Sequence, residues 1–416
     1  VGDIILKVRQ NDQDESESTS ILGMPISDAV KLIKGPKGTN VILTIKKVDG
    51  EVVDLKIKRD IVLLEETYVR SSIVSKHENL YGFINLPKFY IDFDNSTSRD
   101  AAKDIKKEII RLKNLGVKGL VLDLRNNGGG SLKTVVEMAG LFIQEGPIVQ
   151  VRSMDKESKI LRDKDRSIIW EGPLVILVNE FSASASEILA AAMQDYKRAI
   201  IIGSKQTYGK GTVQNVLDLN RMVKSNTNGD LGALKFTTQK YYRINGGSTQ
   251  LEGVKSDIVV PDKYTYVDFG EKDQENPLEW DMIEPVSYEP WKSLFDYNKT
   301  IDASKNRMKS SEFIRLIDEN AKWIKSIRDR DIYTLNYSKF KKDLLLNEEK
   351  AKKYKKLSDY SSDLTFKSLP YEIDLIAKDS SLGEKRKRWH KNLSKDIYVN
   401  ESLNVLNDLR LSYVER

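Results

Sequence analysis

Three closely spaced serines, a lysine between two glycines and a run of three glycines are the residues of this chain whose types and spacing could do chemistry. Ser182, Ser184 and Ser186 stand between the apolar run Leu174–Val178 and an Ala-rich stretch ending at Asp195. A strand–turn–helix junction of this kind exposes one side chain and aims the next backbone N–H outward, as nucleophile elbows do. The same residues also make an ordinary helix start, because Ser caps well and Ala favours helix; taken alone, capping is the stronger reading. The second junction, Arg125-Asn126-Asn127-Gly128-Gly129-Gly130, follows the apolar run Gly119–Leu124 and precedes a helix. Its N–H groups, free of Cβ, could hold an anion or face the oxygen of a tetrahedral intermediate. It is not a phosphate loop, since it has neither GxxxxGK[ST] nor GxGxxG with a matching acidic residue. Alone, it reads as a tight turn.

Lys210 shifts that balance. Gly209 and Gly211 flank it and let the backbone pass close to other elements, which a surface lysine does not need. Beside a serine, a lysine acts as general base if desolvation lowers its pKa from about 10.4 to near 7. A shift of that size costs about 4 kcal/mol, so it demands a dry, packed pocket. The inventory points the same way. Among 416 residues there is no Cys, which removes thiolate chemistry and disulfides, and the two His, His77 and His390, leave little for a His-rich metal site or a His-based triad. A Ser–Lys pair is the hydrolytic arrangement that fits this inventory.

Composition bounds the rest. A chain of this length with 39% apolar residues can build two or three domains with real cores. The net charge of +6 (68 basic minus 62 acidic residues) describes a solvated surface with a mild basic bias, not a nucleic-acid-binding composition. The densest basic run, Lys385-Arg386-Lys387-Arg388-Trp389-His390-Lys391, reads as a solvated helix face, because nucleic acid needs a broader basic surface. No stretch reaches the roughly 18–20 apolar residues of a membrane span. The chain opens on Val1-Gly2-Asp3 directly before a strand, which reads as a start inside a domain, with any targeting segment upstream.

The elements that must position these residues fall into three textures. Residues 1–60 read as short strands around one helix: strand Ile4–Val8, acidic loop Asn11–Ser20, helix Ile26–Ile33, then Val41–Lys47 and Val52–Lys58 as a hairpin through Val48-Asp49-Gly50. The loop's Asp12, Asp14, Glu15 and Glu17 lack the sharp-turn Gly and closing Glu of a calcium loop. Residues 61–268 alternate strand and helix as an α/β domain does, with a helix over Asp100–Lys113, a strand over Gly119–Leu124 and a helix over Leu132–Ile143. The strand Leu174–Val178, helix Glu187–Asp195, strand Ala199–Ile202 and strand Leu234–Tyr242 continue it. Residues 269–416 lose the strand signal and carry amphipathic helices over Ser311–Arg328, Lys339–Lys356 and Glu401–Leu411. No fixed-period repeat is present.

These motifs in this order resemble the tail-specific, or carboxy-terminal processing, proteases of bacteria, peptidase family S41, in particular the long periplasmic type. Val1-Gly2-Asp3 and Leu32–Gly38 look like the second half of the family's PDZ domain; Asp123–Gly130, Ser182–Glu187, Met193-Gln194-Asp195 and Gly209–Gln214 match the peptidase motifs; Tyr241–Gln250 and Gly253–Pro261 continue the match. The resemblance implies an α+β multidomain chain: a partial PDZ β-domain (1–60), a crotonase/ClpP-like α/β serine peptidase core (61–268) and a helical C-terminal domain (269–416). Spacing does not choose among the three serines. The resemblance implies Ser184 as nucleophile, Lys210 as base, Gln214 positioning the lysine amine, and Asp195 in a structural or orienting role. The oxyanion donors it implies are the N–H groups of Ala185 and Gly129, with Gly130 next. One departure is that 26 residues separate Ser184 from Lys210 (210 − 184), one more than the family pattern; the Ser204-Lys205-Gln206 loop can absorb it.

The implied activity is serine endopeptidase cleavage of unfolded or loosely folded proteins marked by an apolar C-terminal tail. A PDZ domain would capture that tail by strand addition. With the PDZ carboxylate loop and edge strand upstream of Val1, the chain as numbered should select tails weakly. No metal or organic cofactor, no nucleic acid and no membrane span is implied. The implied location is the periplasm, associated with the inner-membrane surface, with a lipoprotein adaptor as partner. Two rivals stand beside it: a non-cleaving scaffold that binds tails, and an acyl-CoA-type enzyme of the crotonase-like fold, against which the Ser184/Lys210 pair argues.

Overall fold

The computed structural model describes residues 3–413 apart from 12, 48–49, 61–64, 93–97, 155 and 224–228. Val1 and Gly2, Asp12 of the acidic loop, and Val48-Asp49 of the hairpin turn lie outside the described residues. The chain divides into two compact units, 1–65 and 66–416.

The first unit is a four-stranded antiparallel sheet with one helix. Its strands are β1 (Ile4–Gln10), β2 (Thr19–Ser20), β3 (Asn40–Lys46) and β4 (Val52–Lys58), in the order β2-β1-β3-β4, with α1 (Ile26–Ile33) between β2 and β3 in sequence. The hairpin β3–β4 pairs in register from Asn40 opposite Lys58 to Lys46 opposite Val52. Alternation along β3 buries Val41, Leu43 and Ile45, which meet Val8 in a small apolar cluster. Arg59 donates to the carbonyl of Ile33 (2.9 Å) and to Gln10 Oε1 (2.7 Å), tying the end of α1 to the sheet.

The second unit opens with the antiparallel pair β5 (Arg70–Lys76) and β6 (Asn79–Asn85), then α2 (Ala101–Asn114), β7 (Leu120–Asp123), α3 (Leu132–Ala139), β8 (Gly146–Ser153) and β9 (Lys159–Asp163). It continues through β10 (Leu174–Val178), α4 (Ala185–Asp195), β11 (Ile200–Gly203), β12 (Thr212–Asp218), β13 (Ala233–Tyr242) and β14 (Ile258–Val259). After these come α5 (Tyr297–Ser310), α6 (Glu312–Arg328), α7 (Tyr337–Tyr354), β15 (Thr365–Lys367), α8 (Pro370–Lys378), α9 (Ser380–Ser394) and α10 (Ile397–Leu411). Among the described residues they build a seven-stranded sheet, β14-β11-β10-β7-β6-β5-β15, parallel from β14 to β6, and a separate antiparallel sheet β12-β13-β8-β9.

Several elements start or stop where local chemistry dictates. Asp100 caps α2 by accepting from the N–H groups of Ala102 and Lys103. The helix expected to reach Ile143 ends at Ala139. The backbone leaves the helix at Gly140, and the carbonyls of Leu141 and Phe142 are taken by Ile169 N–H and by the Arg198 guanidinium (2.8 Å) instead of by a following turn. Conversely, α10 starts four residues earlier than expected, because Asp396 accepts from Tyr398 and Val399 N–H groups.

The helical tail, read from sequence as lacking strands, contributes β15 to the main sheet, paired antiparallel with β5. It also covers one whole face. Residues on one side of the strands, including Leu122, Ile176 and Ile201, pack with α2, α3 and α4. Those on the other side, including Val121, Val175, Leu177, Ile200 and Ile202, pack with Leu403, Leu406 and Leu409 of α10, Met308 of α5 and Trp389 of α9. That is why β10 is apolar at every position and β7 at every position but its last, Asp123: a parallel strand covered on both faces has no solvent side to alternate with. The basic run falls on α9, where Trp389 is buried and Arg386 pairs with Glu372 at 2.6 Å, so part of it is structural. Leu406 is fully buried and lies where Gly119 leaves room beneath it. Leu406→Ala should therefore destabilise the 66–416 unit by about 2–4 kcal/mol in urea unfolding, as deletion of a core leucine does; a loss below about 1 kcal/mol would mean that α10 is not part of the sheet's core.

Candidate active site

Both junctions marked in the sequence sit at the carboxyl ends of neighbouring parallel strands, β7 and β10, so their turns meet. Leu124 N–H donates to the Leu177 carbonyl, and Ala183 N–H to the Asn127 carbonyl at 3.0 Å. Two of the three serines stitch the turns together. Ser182 Oγ donates to the Leu124 carbonyl (2.9 Å), and Ser186 Oγ donates to the Asn127 carbonyl (2.8 Å); both side chains are fully buried. Asn126 and Asn179 add a reciprocal pair, N–H to Oδ1 at 2.8 Å and Nδ2 to Oδ1 at 2.9 Å.

Ser184 is what remains. It is half-buried at the start of α4 with φ +57°, a left-handed conformation that costs a serine roughly 1–3 kcal/mol. With Lys210, Gln214, Gly130, Ala185 and Tyr241 it lines a cavity of about 220 Å³. Lys210 Nζ donates to Gln214 Oε1 at 3.0 Å. Burial, and after it the charge of Lys235, hold the Lys210 amine below the usual lysine range. The Tyr241 hydroxyl bonds the Lys210 carbonyl and lies 3.3 Å from that of Ser184, bracing both backbones from one point.

Glu187 joins the serine turn to the lysine loop. Its side chain, wholly buried, accepts from Ser184 N–H (2.7 Å) and Lys210 N–H (3.0 Å) through one oxygen. The other oxygen accepts from Thr207 Oγ1 (2.7 Å) and Gly209 N–H (2.7 Å). Burial pushes this carboxyl up to about 7, against four hydrogen bonds that favour the charged form. Three of those donors are backbone N–H groups that cannot turn into acceptors, so the geometry is that of a carboxylate.

The glycine turn corrects one expectation. Gly129 N–H donates to Asn127 Oδ1 at 2.9 Å, so it is not available to an incoming oxygen. Gly130 N–H has no partner among the described residues, and the N–H of Ala185, first residue of α4, has no acceptor within its helix. The turn needs its glycines for space: a Cβ on Gly129 (φ +101°) would lie 2.8 Å from Ser184 Cβ, and one on Gly130 (φ +147°) would strike the Phe89 carbonyl.

Asp195 is not brought to the cavity. It closes α4 at the far end, about 16 Å along the axis from Ser184. There it pairs with Arg243 (Nη2 2.5 Å, Nε 3.1 Å) and accepts from Asn245 Nδ2 at 3.0 Å, clamping the chain just past β13. Glu187, Tyr241 and Lys235 were not singled out from the sequence. Ser184-x-x-Glu187 is a capping-box spacing that could have signalled the Glu187–Ser184 contact, but nothing local reports its reach to residues 207–210.

Comparisons with known proteins bear on this arrangement. Residues 81–260 match the model of peptidase family S41, and residues 264–410 match that of the C-terminal domain of tail specific protease. The chain is similar to the tail-specific protease of Haemophilus influenzae, 36% identical over 384 residues, covering 91% of this chain and 53% of that protein. It is also similar to the carboxy-terminal-processing protease of Bartonella bacilliformis, 37% identical over 273 residues, covering 63% and 56%. The chain thus spans about half the length of these curated relatives. A solved photosystem II D1 C-terminal processing protease is 28% identical, with 62% of this chain and 63% of that one covered and a TM-score of 0.40.

Glu187→Gln places an amide NH₂ against donors that now meet an oxygen. It should cost about 2–4 kcal/mol of stability in denaturant unfolding, the penalty of leaving buried donors unpaired. A variant as stable as the parent would show that this clasp does not hold the loops together.

Proposed function

The chain belongs to peptidase family S41, and on that premise we propose that it is a serine endopeptidase with Ser184 as nucleophile and Lys210 as general base. The reading rests on one observation: Ser184 and Lys210 line the same cavity while Ser182 and Ser186 are bound into the scaffold. Neutral Lys210 takes the proton from Ser184 Oγ, and the oxygen attacks the scissile carbonyl. The N–H groups of Ala185 and Gly130 hold the developing oxyanion. The tetrahedral intermediate collapses to an acyl-enzyme as the leaving amine takes the proton from Lys210. Water then attacks the ester with Lys210 again as base, and the new carboxylate leaves. Gln214 holds the amine in the cavity through its side-chain oxygen. Asp195 is assigned a positioning role: with Arg243 it anchors the strand that carries Tyr241.

Residues 1–60 are proposed as the C-terminal part of a PDZ domain, supported by the four-stranded sheet with a single helix. On that helix Ile26 is 82% exposed, an apolar surface suited to a hydrophobic tail. The proposed substrates are unfolded or loosely folded proteins with apolar C-termini, met in the periplasm, with a lipoprotein adaptor as partner. No helix among the described residues is long and apolar enough to cross a membrane.

The test follows cleavage of an unfolded reporter with an apolar C-terminal tail by mass spectrometry. Ser184→Ala and Lys210→Ala should each lower kcat by a factor on the order of 10³ or more, with tail binding retained. Activity requires the deprotonated lysine, so kcat/KM should rise with pH through an apparent pKa below the ordinary lysine value and be lost as pH falls through it. Binding by all three proteins without cutting by any would replace the peptidase with the tail-binding scaffold.

A further inference from the structure

Three titratable groups line the cavity, and the chemistry proposed above uses two of them: Lys210 as base and Tyr241 as a brace. The third is Lys235. Its position follows from the register of β12 and β13, where Gln214 faces Thr237 and Val216 faces Lys235. Residues directly opposite in an antiparallel pair share a face, as do residues two apart along a strand. Lys235 therefore stands on the face of Gln214, one diagonal step of about 7–8 Å away and within reach of a long side chain. Gln214 in turn holds Lys210 Nζ.

Lys235 is exposed, and no carboxylate among the described residues pairs with it. Lys240, farther along the same strand, shows the contrast: it pairs with Asp281 at 2.5 Å. The carboxylate nearest in sequence to the reacting residues, Glu187, is committed to its four donors. The cavity wall thus presents, among the described residues, a second ammonium group without a paired carboxylate, in a concave site that strengthens its field; the acids felt at Lys210, Glu271 and Glu187, do not line the cavity. The charge of Lys235 is felt at Lys210, where it adds to burial in holding that amine below the usual lysine range. A peptide bearing a basic side chain here would meet repulsion, and one bearing a carboxylate would supply the missing partner.

We infer that Lys235 is a specificity-determining residue that draws a substrate carboxylate, either the α-carboxylate of a chain end or an Asp or Glu side chain, to within a few residues of the scissile bond. The inference rests on the Ser184–Lys210 reading.

Four peptides of one sequence test it, with Glu or Gln beside a mapped cleavage point and a free or amidated C-terminus. They would be cut by the parent chain, Lys235→Gln, Lys235→Arg and, as background, Ser184→Ala. The readout is the kcat/KM ratio of carboxylate-bearing to neutral peptide within each variant. Ratios are needed because loss of Lys235 also raises the pKa of Lys210 and slows all four peptides together. The parent and Lys235→Arg should favour the carboxylate about two- to tenfold, with the preference shrinking at high salt. Lys235→Gln should bring the ratio to about one, the value for a cavity without the charge. A Lys235-dependent preference confined to the free C-terminus assigns the α-carboxylate; one confined to Glu assigns the side chain. Equal ratios in the parent and Lys235→Gln overturn the inference and leave the peptidase standing. If the parent cuts no peptide above the Ser184→Ala background, the peptidase reading fails and takes this inference with it.

Discussion

The buried carboxylate of Glu187 is the constraint on which the geometry of the cavity depends. A carboxylate without water is costly, and the cost is offset here by four charge-assisted hydrogen bonds. Because those donors belong to Ser184 on one side and to Thr207, Gly209 and Lys210 on the other, satisfying one charge fixes two loops relative to each other. The strained φ of Ser184 is held in the same way: its N–H is pinned by Glu187, and the residues on both sides of it are bound to the glycine turn. A local conformation that the chain would not choose is over-determined by partners distant in sequence.

Those partners are rigid because the strands beneath them are. The turns leave β7 and β10, whose residues are buried on both faces. One face is closed by α2, α3 and α4 and the other by α5, α9 and α10, so the tail completes the hydrophobic core that positions the cavity. Polar links repeat the arrangement at the rim. Arg125, in the turn after β7, pairs with Asp123 at 2.8 Å and with Asp396, the cap of α10, at 2.9 Å. Ser304 and Arg307 of α5 share Glu401 of α10. The helical tail and the turn that carries the glycines are therefore coupled through one guanidinium.

The electrostatics of the cavity follow from this packing. The Lys210 amine is held below the usual lysine range by burial first and by Lys235 second, against the opposing charges of Glu271 and then Glu187. Asp195, the carboxylate at the other end of α4, is kept from the amine by the length of the helix and by its bonds to Arg243 and Asn245. Position along one helix thus separates two carboxylates into a clasp and an anchor.

The sequence by itself determined whatever depends on near neighbours. α1, β4 and β10 lie over the expected residues, because apolar spacing and turn chemistry act within a few positions. The two strand–turn–helix junctions and the lysine between glycines were legible for the same reason, and the ordered motifs pointed to peptidase family S41. Spacing left three serines open, and what physically separates them is tertiary: Ser182 and Ser186 are bound to the Leu124 and Asn127 carbonyls, 58 and 59 residues away, while Ser184 lines the cavity. The bond that spends Gly129 N–H is local, from Asn127 two residues before, but the Asn127 side chain is held for it by the distant Leu86 carbonyl at 2.8 Å, while Gly130 N–H has no partner among the described residues. Tertiary structure also decided that the tail joins the core: β15 is three residues long, too short to carry a periodic signal, and the second face of a parallel sheet records only that something apolar must cover it. Local pattern fixes what an element is, whereas the partner that satisfies its remaining polar and apolar groups is set by contacts between distant parts of the chain.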